Sequence, residues 1–208
     1  MQRKLIHETF AGITLHPDLK WLNPPPAWEL DPLASRLVVY PASQTDFWQR
    51  THYGFRVDNG HFLYTEVSSD AVIAARIHSF PVHQYDQAGL MLRFSDECWL
   101  KTAVEFEPGA PSHLGVVVTN CGYSDWSLQD FLGDVTRGYS FRVRREHEDY
   151  LVEYADNESS RWCLLRVAHL VAQPGLPKCA GIYACSPKCP GFRAEVEYLK
   201  IETSSSNP

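Results

Sequence analysis

From Tyr85 to Phe106 the chain reads Tyr-Asp-Gln-Ala-Gly-Leu-Met-Leu-Arg-Phe-Ser-Asp-Glu-Cys-Trp-Leu-Lys-Thr-Ala-Val-Glu-Phe, an alternation of side-chain character that extended backbone produces and a helix does not. Two adjacent strands follow from it. In the first, Ala88, Leu90, Leu92 and Phe94 share one side, and Gln87, Gly89, Met91 and Arg93 share the other. In the second, Leu100, Thr102, Val104 and Phe106 oppose Trp99, Lys101, Ala103 and Glu105. An aromatic, a cation and a carboxylate on one side of one strand is more chemistry than a solvated face requires. The pair points to a groove.

The remaining sequence repeats the short-strand pattern with turn signals between strands and no long helical period. Glu8 to Leu15 is expected to form a first strand. Trp21 and Trp28 flank Pro24-Pro25-Pro26, which fix extended backbone and cannot sit in a central strand. Leu37 to Tyr40 is a short strand, and Asp58-Asn59-Gly60 carries a hairpin-turn signal. Strands are then expected at His61 to Val67, Ala71 to Phe80, Leu114 to Asn120, Tyr139 to Arg144, Asp149 to Tyr154, Trp162 to Val167, Gly181 to Cys185 and Phe192 to Ile201. Ser124 to Ser127 reads as a loop, Asp156 to Ser160 as a turn, and Ser127 to Leu132 and Arg166 to Ala172 as the two places able to hold a helical turn. A dozen or so short strands in 208 residues imply two packed sheets. The expected organisation is one all-β domain over residues 1–202, with 1–30 as an extended, proline-rich segment packed on it and 203–208 as a disordered tail.

Composition narrows the function classes. A net charge of −6, with Glu146 and Glu148 directly after Arg142, Arg144 and Arg145, argues against a nucleic-acid partner. The longest apolar runs are too short to span a membrane, and the N-terminus lacks the apolar core of a signal peptide. A cytoplasmic location is therefore expected, and with it free thiols at all six cysteines. Cys179, Cys185 and Cys189 lack the paired spacing of a structural zinc site, so no metal and no cofactor are expected.

The ordered set Asp86 to Arg93, Trp99 to Phe106, Val116 to Asn120, Ser124 to Ser127 and Tyr183 to Pro187 resembles a family of unknown biochemical function that includes the fungal regulation-of-enolase proteins. The resemblance covers roughly residues 20 to 202. It implies a concanavalin A-like jelly-roll β-sandwich of two antiparallel sheets, whose curved inner sheet carries the ligand in lectins, glucanases and some polysaccharide lyases. It implies no reaction, since that superfamily holds binders and enzymes alike. The Glu-x-Asp-x-x-Glu strand of the retaining glucanases is absent: here the corresponding strand offers Lys101 and Glu105. Retention requires two carboxyl groups about 5 Å apart, so an ordinary retaining glycosidase is not expected.

If the opening strands line a concave sheet, Asp46, Trp48, Arg50 and His52 are expected to face the same groove, with Phe47 and Gln49 turned away. A further strand would add Arg76 and His78, and the segment after Asn120 would bring Trp126 to one end. Aromatic faces beside Arg, Asp and Gln suit sugars and related hydroxylated or carboxylated molecules. The candidate ligand-binding set is thus Trp48, Arg50, Asp46, Arg76, Gln87, Trp99 and Trp126. Glu105, Lys101, His52 and His78 are the candidates for acid–base chemistry. Each has a structural alternative: Trp48 and Trp99 as packing, Glu105 as the ion-pair partner of Arg50 or Arg76, Trp126 as a loop anchor and the histidines as buried structural groups. The readings that follow are a cytosolic carbohydrate- or metabolite-binding module with a regulatory role, a cofactor-free isomerase, lyase or hydrolase, and a module that binds a protein partner.

Overall fold

The computed structural model describes residues 5–155, 161–171, 175 and 177–203. The strands are β1 (Leu5–Glu8), β2 (Lys20–Leu22), β3 (Ala27–Asp31), β4 (Arg36–Tyr40), β5 (Phe47–Gln49), β6 (Arg56–Asp58), β7 (His61–Val67), β8 (Ala71–Phe80) and β9 (Gln87–Ser95). They continue with β10 (Cys98–Glu105), β11 (Ser112–Asn120), β12 (Tyr123–Phe131), β13 (Tyr139–Glu146), β14 (Asp149–Ala155), β15 (Cys163–His169), β16 (Lys178–Cys185) and β17 (Arg193–Thr203). Two large antiparallel sheets result. One runs β15-β14-β13-β8-β17-β4-β3, with β1 also on β17; the other runs β12-β11-β10-β9-β16-β7-β2. No helix among the described residues is long and apolar enough to cross a membrane, and all six cysteines are free.

The alternation seen in β9 and β10 decides how the sheets meet. Ala88, Leu90, Leu92, Leu100 and Val104 point into the space between the sheets, against Ile73, Ala75, Ile77, Phe141 and Leu199 of the other sheet. Full burial of such a side chain contributes about 1.5–3 kcal/mol, so this layer supplies the main drive to fold. The opposite face of the seven-stranded sheet is also apolar in part. Phe47, Trp48, Phe62, Met91, Trp99, Val117 and Tyr183 form a second cluster there. All eight residues of β10 are buried as a consequence.

Several expectations are corrected. Of Glu8 to Leu15 only Glu8 is in a strand, and β1 lies earlier. The prolines link β2 at the edge of one sheet to β3 at the edge of the other, so their missing N–H groups interrupt no ladder. Asp58-Asn59-Gly60 is not a hairpin turn, because β6 pairs with β5 while β7 leaves for the main sheet. Asn59 and Gly60 donate to the Asp46 carbonyl, and a Cβ on Gly60 would come within 2.3 Å of the Phe47 ring. That glycine permits a close approach and not a left-handed turn. Ser124 to Ser127 and Ser127 to Phe131 lie in β12, an edge strand whose polar outer positions resemble a loop. Arg166 to His169 lies in the edge strand β15, where burial does not alternate cleanly. Thr203, expected in the tail, ends β17 and is buried; residues 204–208 lie outside the described residues. The expected turn at Asp156 to Ser160 lies outside the described residues.

Candidate functional site

Antiparallel partners point to the same side of a sheet, so register alone places the site. Gln87, Glu105 and His113 form one row across β9, β10 and β11. Next come Gly89, Ala103, Gly115 and Leu128, then Met91, Lys101, Val117 and Trp126, then Arg93, Trp99, Thr119 and Ser124. The small residues of the second row lower the floor between two rows that carry functional groups. A Cβ on Gly115 would lie 3.0 Å from Trp126 Nε1 and 3.6 Å from Glu105 Oε1.

Residues 44–58, which include the short β5–β6 hairpin, form a flap over this face. Asp58 receives a two-pronged bond from Arg93 at 2.7 and 2.8 Å. The Gln49 N–H donates to Ser124 Oγ at 2.9 Å, and Phe47 packs edge-on against Trp99 and Tyr183. Lys101 Nζ donates to Asp46 Oδ1 at 2.8 Å and to Gln87 Oε1 at 3.1 Å. The Tyr183 hydroxyl donates to the same Gln87 oxygen at 2.8 Å, while Gln87 Nε2 donates to the Tyr85 carbonyl. Beside the flap lies a cavity of about 510 Å³. Its floor carries Gln87, Lys101, Glu105 and Val117; Trp48, Tyr53, Phe55, Tyr85 and Trp126 supply aromatic walls.

Burial shapes the electrostatics. Removal from water pushes the Glu105 carboxyl up to about 7; Lys101 opposes this and the charge on Asp46 adds to it. For Lys101 burial is the largest influence and acts to lower the ammonium, but Asp46, Cys185 and Glu105 together outweigh it and the group is held above its ordinary value. Burial also raises the Tyr183 phenol well above its usual range, consistent with its role as donor to Gln87. The site therefore holds one ion-paired carboxylate, Asp46, and one carboxyl, Glu105, poised to exchange a proton near neutrality.

The structure brings together Asp46, Trp48, Gln87, Lys101, Glu105 and Trp126. Trp99 is on the expected face but completely buried under Phe47, with its Nε1 donating to the Asp96 carbonyl. It supports the floor and is no ligand platform. Phe47 was expected to face away and instead packs inward. Arg50 and His52 do not line the cavity, because left-handed backbone at both (φ 56° and 62°) breaks the alternation after Gln49. Arg50 pairs with Glu97 at 3.3 Å and lies over the Tyr123 ring; His52 is exposed beside Tyr53. Arg76 and His78 belong to β8 in the other sheet, where both reach Glu197 Oε2 at 3.2 Å. Glu105 pairs with neither Arg50 nor Arg76. Sequence reading missed Tyr53, Phe55, Tyr85 and Lys188, whose Nζ is 5.4 Å from the Tyr85 ring centre. The aromatic density of Tyr53-Gly54-Phe55 was the available signal. His113 was missed too: it neighbours Glu105 across the strands, with Nδ1 buried and unbonded.

Comparison with known proteins places the chain in a family and agrees with the sandwich fold. Over 173 residues the chain is 33% identical to Regulation of enolase protein 1 of Saccharomyces cerevisiae, covering 83% of each protein. A crystal structure of a functionally unknown protein from Saccharomyces cerevisiae superposes with a TM-score of 0.81 at 29% identity, covering 91% of this chain and 98% of that one. The GH43 protein BlXynB of Bacillus licheniformis shares the sandwich fold, with a TM-score of 0.74 at 15% identity over 95% of this chain and 39% of that one. The sequence profile described as "Protein of unknown function (DUF1349)" matches residues 21–204. The chain belongs to the DUF1349 family.

Proposed function

We propose that this protein is a cytoplasmic small-molecule-binding β-sandwich whose cavity takes a carbohydrate or a carbohydrate-derived metabolite. The observation that carries the reading is the polar floor of Lys101, Gln87 and Glu105 under aromatic walls, in a cavity of about 510 Å³. Sugar rings have apolar faces that stack on aromatic rings and hydroxyls that need fixed donors and acceptors, and this cavity offers both. Its charge favours a neutral or weakly acidic ligand over a polyphosphate, since Asp46 already compensates Lys101. The name of the yeast relative supports a regulatory use of such binding, through a protein partner. Isothermal titration against neutral sugars and sugar acids is expected to give binding that Trp126→Ala and Gln87→Ala weaken at least tenfold. Absence of binding by the unaltered protein overturns the reading.

A second reading, a cofactor-free isomerase, lyase or hydrolase, is favoured by one specific observation. Asp46 and Glu105 place an ion-paired carboxylate and a carboxyl raised to about 7 around one cavity, the pattern from which acid–base pairs are built. Glu105 would move the proton while Lys101 stabilises developing negative charge. Under this reading Glu105→Gln keeps ligand affinity and abolishes turnover. Turnover that survives the substitution excludes it.

A further inference from the structure

We infer that the cavity is closed at one end and admits the terminus of a saccharide, or a free mono- or disaccharide, but not the interior of a long chain. This rests on the carbohydrate reading above and goes beyond it by fixing the class of ligand.

A polysaccharide bound along its length needs a groove open at both ends, running over the exposed faces of neighbouring strands. Here the face of the seven-stranded sheet is occupied over β16 and β7. Tyr183 and Cys185 of β16 and Phe62 of β7 have essentially no accessible surface, and Phe47 sits on the Tyr183 ring. The wall that closes this end is built from hydrogen bonds. Thr45 and Ser186 bond each other in both directions: the Thr45 N–H donates to the Ser186 carbonyl at 3.3 Å, and the Ser186 N–H donates to Thr45 Oγ1 at 3.0 Å. The Ser186 hydroxyl donates to the buried Asp86 carboxylate at 2.6 Å. Thr45, Asp46 and Pro187 line the cavity on this side, where they would block a chain entering from the side of β12.

A second wall is made by the flap. The flap covers the row Arg93, Trp99 and Ser124, held at Arg93 by Asp58, at Trp99 by Phe47 and at Ser124 by the Gln49 backbone. Two closed sides leave room for a small unit on Lys101, Gln87 and Glu105. At the rim, Tyr53 and Phe55 are about half exposed and stacked, with ring centres 5.8 Å apart and planes 24° from parallel. That pair forms part of the cavity wall and offers a stacking face at its mouth for a second ring.

Titration calorimetry of the unaltered full chain against two series, xylose to xylohexaose and glucose to maltohexaose, tests the inference, with β-cyclodextrin as a glucan that has no terminus. In whichever series binds, affinity is expected to rise from one ring to two by about tenfold and to change less than threefold thereafter. β-Cyclodextrin is expected not to bind. An affinity that continues to climb to six rings, or cyclodextrin binding at the strength of the linear oligomer, overturns the closed-end inference and leaves the carbohydrate reading standing. No binding by any member of either series overturns the inference, and the carbohydrate reading is then decided by the wider panel of sugars and sugar acids.

Discussion

Lys101 Nζ lies 2.8 Å from Asp46 Oδ1, and this contact joins the floor of the seven-stranded sheet to the flap that covers it. The two ends differ in burial: the Lys101 side chain is 3% exposed and that of Asp46 is 23% exposed. A lone ammonium at the first position has no access to water, whereas a lone carboxylate at the second is partly hydrated.

The stability cost of breaking the pair should therefore be asymmetric. Asp46→Ala strands a buried cation that keeps only Gln87 Oε1 as acceptor and is expected to cost about 3–5 kcal/mol, the range for orphaning a buried ion. Lys101→Met removes the buried charge itself and should cost about 1–2 kcal/mol, since only the partly hydrated partner loses its counter-ion. Urea denaturation at pH 7 measures both. Equal costs would show that the contact behaves as a surface ion pair.

Glu105 makes stability fall as pH rises. Its folded-state value of about 7 lies above the ordinary 4.5, so the folded protein holds the proton more tightly than the unfolded chain. The stabilisation is fully present below pH 4.5 and is lost as pH rises through about 7. Glu105→Gln has no such proton to lose. It should match the unaltered protein near pH 4.5 and exceed its stability at pH 8 by on the order of 1–3 kcal/mol, read from denaturation midpoints at the two pH values. Parallel pH curves for the two proteins would contradict the burial of an ionisable carboxyl.

His61 acts in the opposite direction. Its Nδ1–H donates to the Asn23 carbonyl at 2.6 Å, and its Nε2 accepts from the Ala42 N–H at 2.9 Å; the first bond survives protonation, but the second requires Nε2 to be unprotonated and so the ring to be neutral. Burial lowers its affinity for a proton below the usual 6.5; the bond to Asn23 offsets this in part. The stability this contributes is present above pH 6.5 and lost as pH falls through the depressed folded value, because the unfolded chain protonates first. Nitrogen NMR of the imidazole ring should report the Nδ1–H tautomer persisting at pH 6. An imidazolium spectrum at that pH would contradict the assignment.

What the sequence conveyed and what it hid have separate physical causes. The faces of β9 and β10 were legible because period-two alternation is a local property, and it placed Gln87, Lys101 and Glu105 together correctly. The same alternation in β8 showed that Arg76 and His78 share a face but not to which sheet that face belongs, because pairing with β13 and β17 is non-local. The flap was half legible. Asp46 and Trp48 were found, but left-handed backbone at the non-glycine residues Arg50 and His52 leaves no sequence mark and removed both from the cavity. Trp126 was found as a residue and misplaced as a loop, because an edge strand with Ser, Asp and Gln outward has the composition of one.

Two glycines of the same row should respond differently to a methyl group. A Cβ on Gly89 would lie 1.8 Å from the Thr102 carbonyl oxygen, which is backbone of the adjoining central strand and cannot move aside without breaking the ladder. Gly89→Ala is therefore expected to destabilise by about 3 kcal/mol or more. A Cβ on Gly115 meets Trp126 Nε1 at 3.0 Å and Glu105 Oε1 at 3.6 Å, side-chain atoms that border the cavity and can shift by a few tenths of an ångström. Gly115→Ala should cost at most about 1 kcal/mol, yet it fills the floor between the indole and the carboxyl. It is expected to weaken ligand binding at least tenfold while denaturation stays near that of the unaltered protein. Unchanged affinity in a folded Gly115→Ala protein would mean that the ligand does not reach the floor between Trp126 and Glu105.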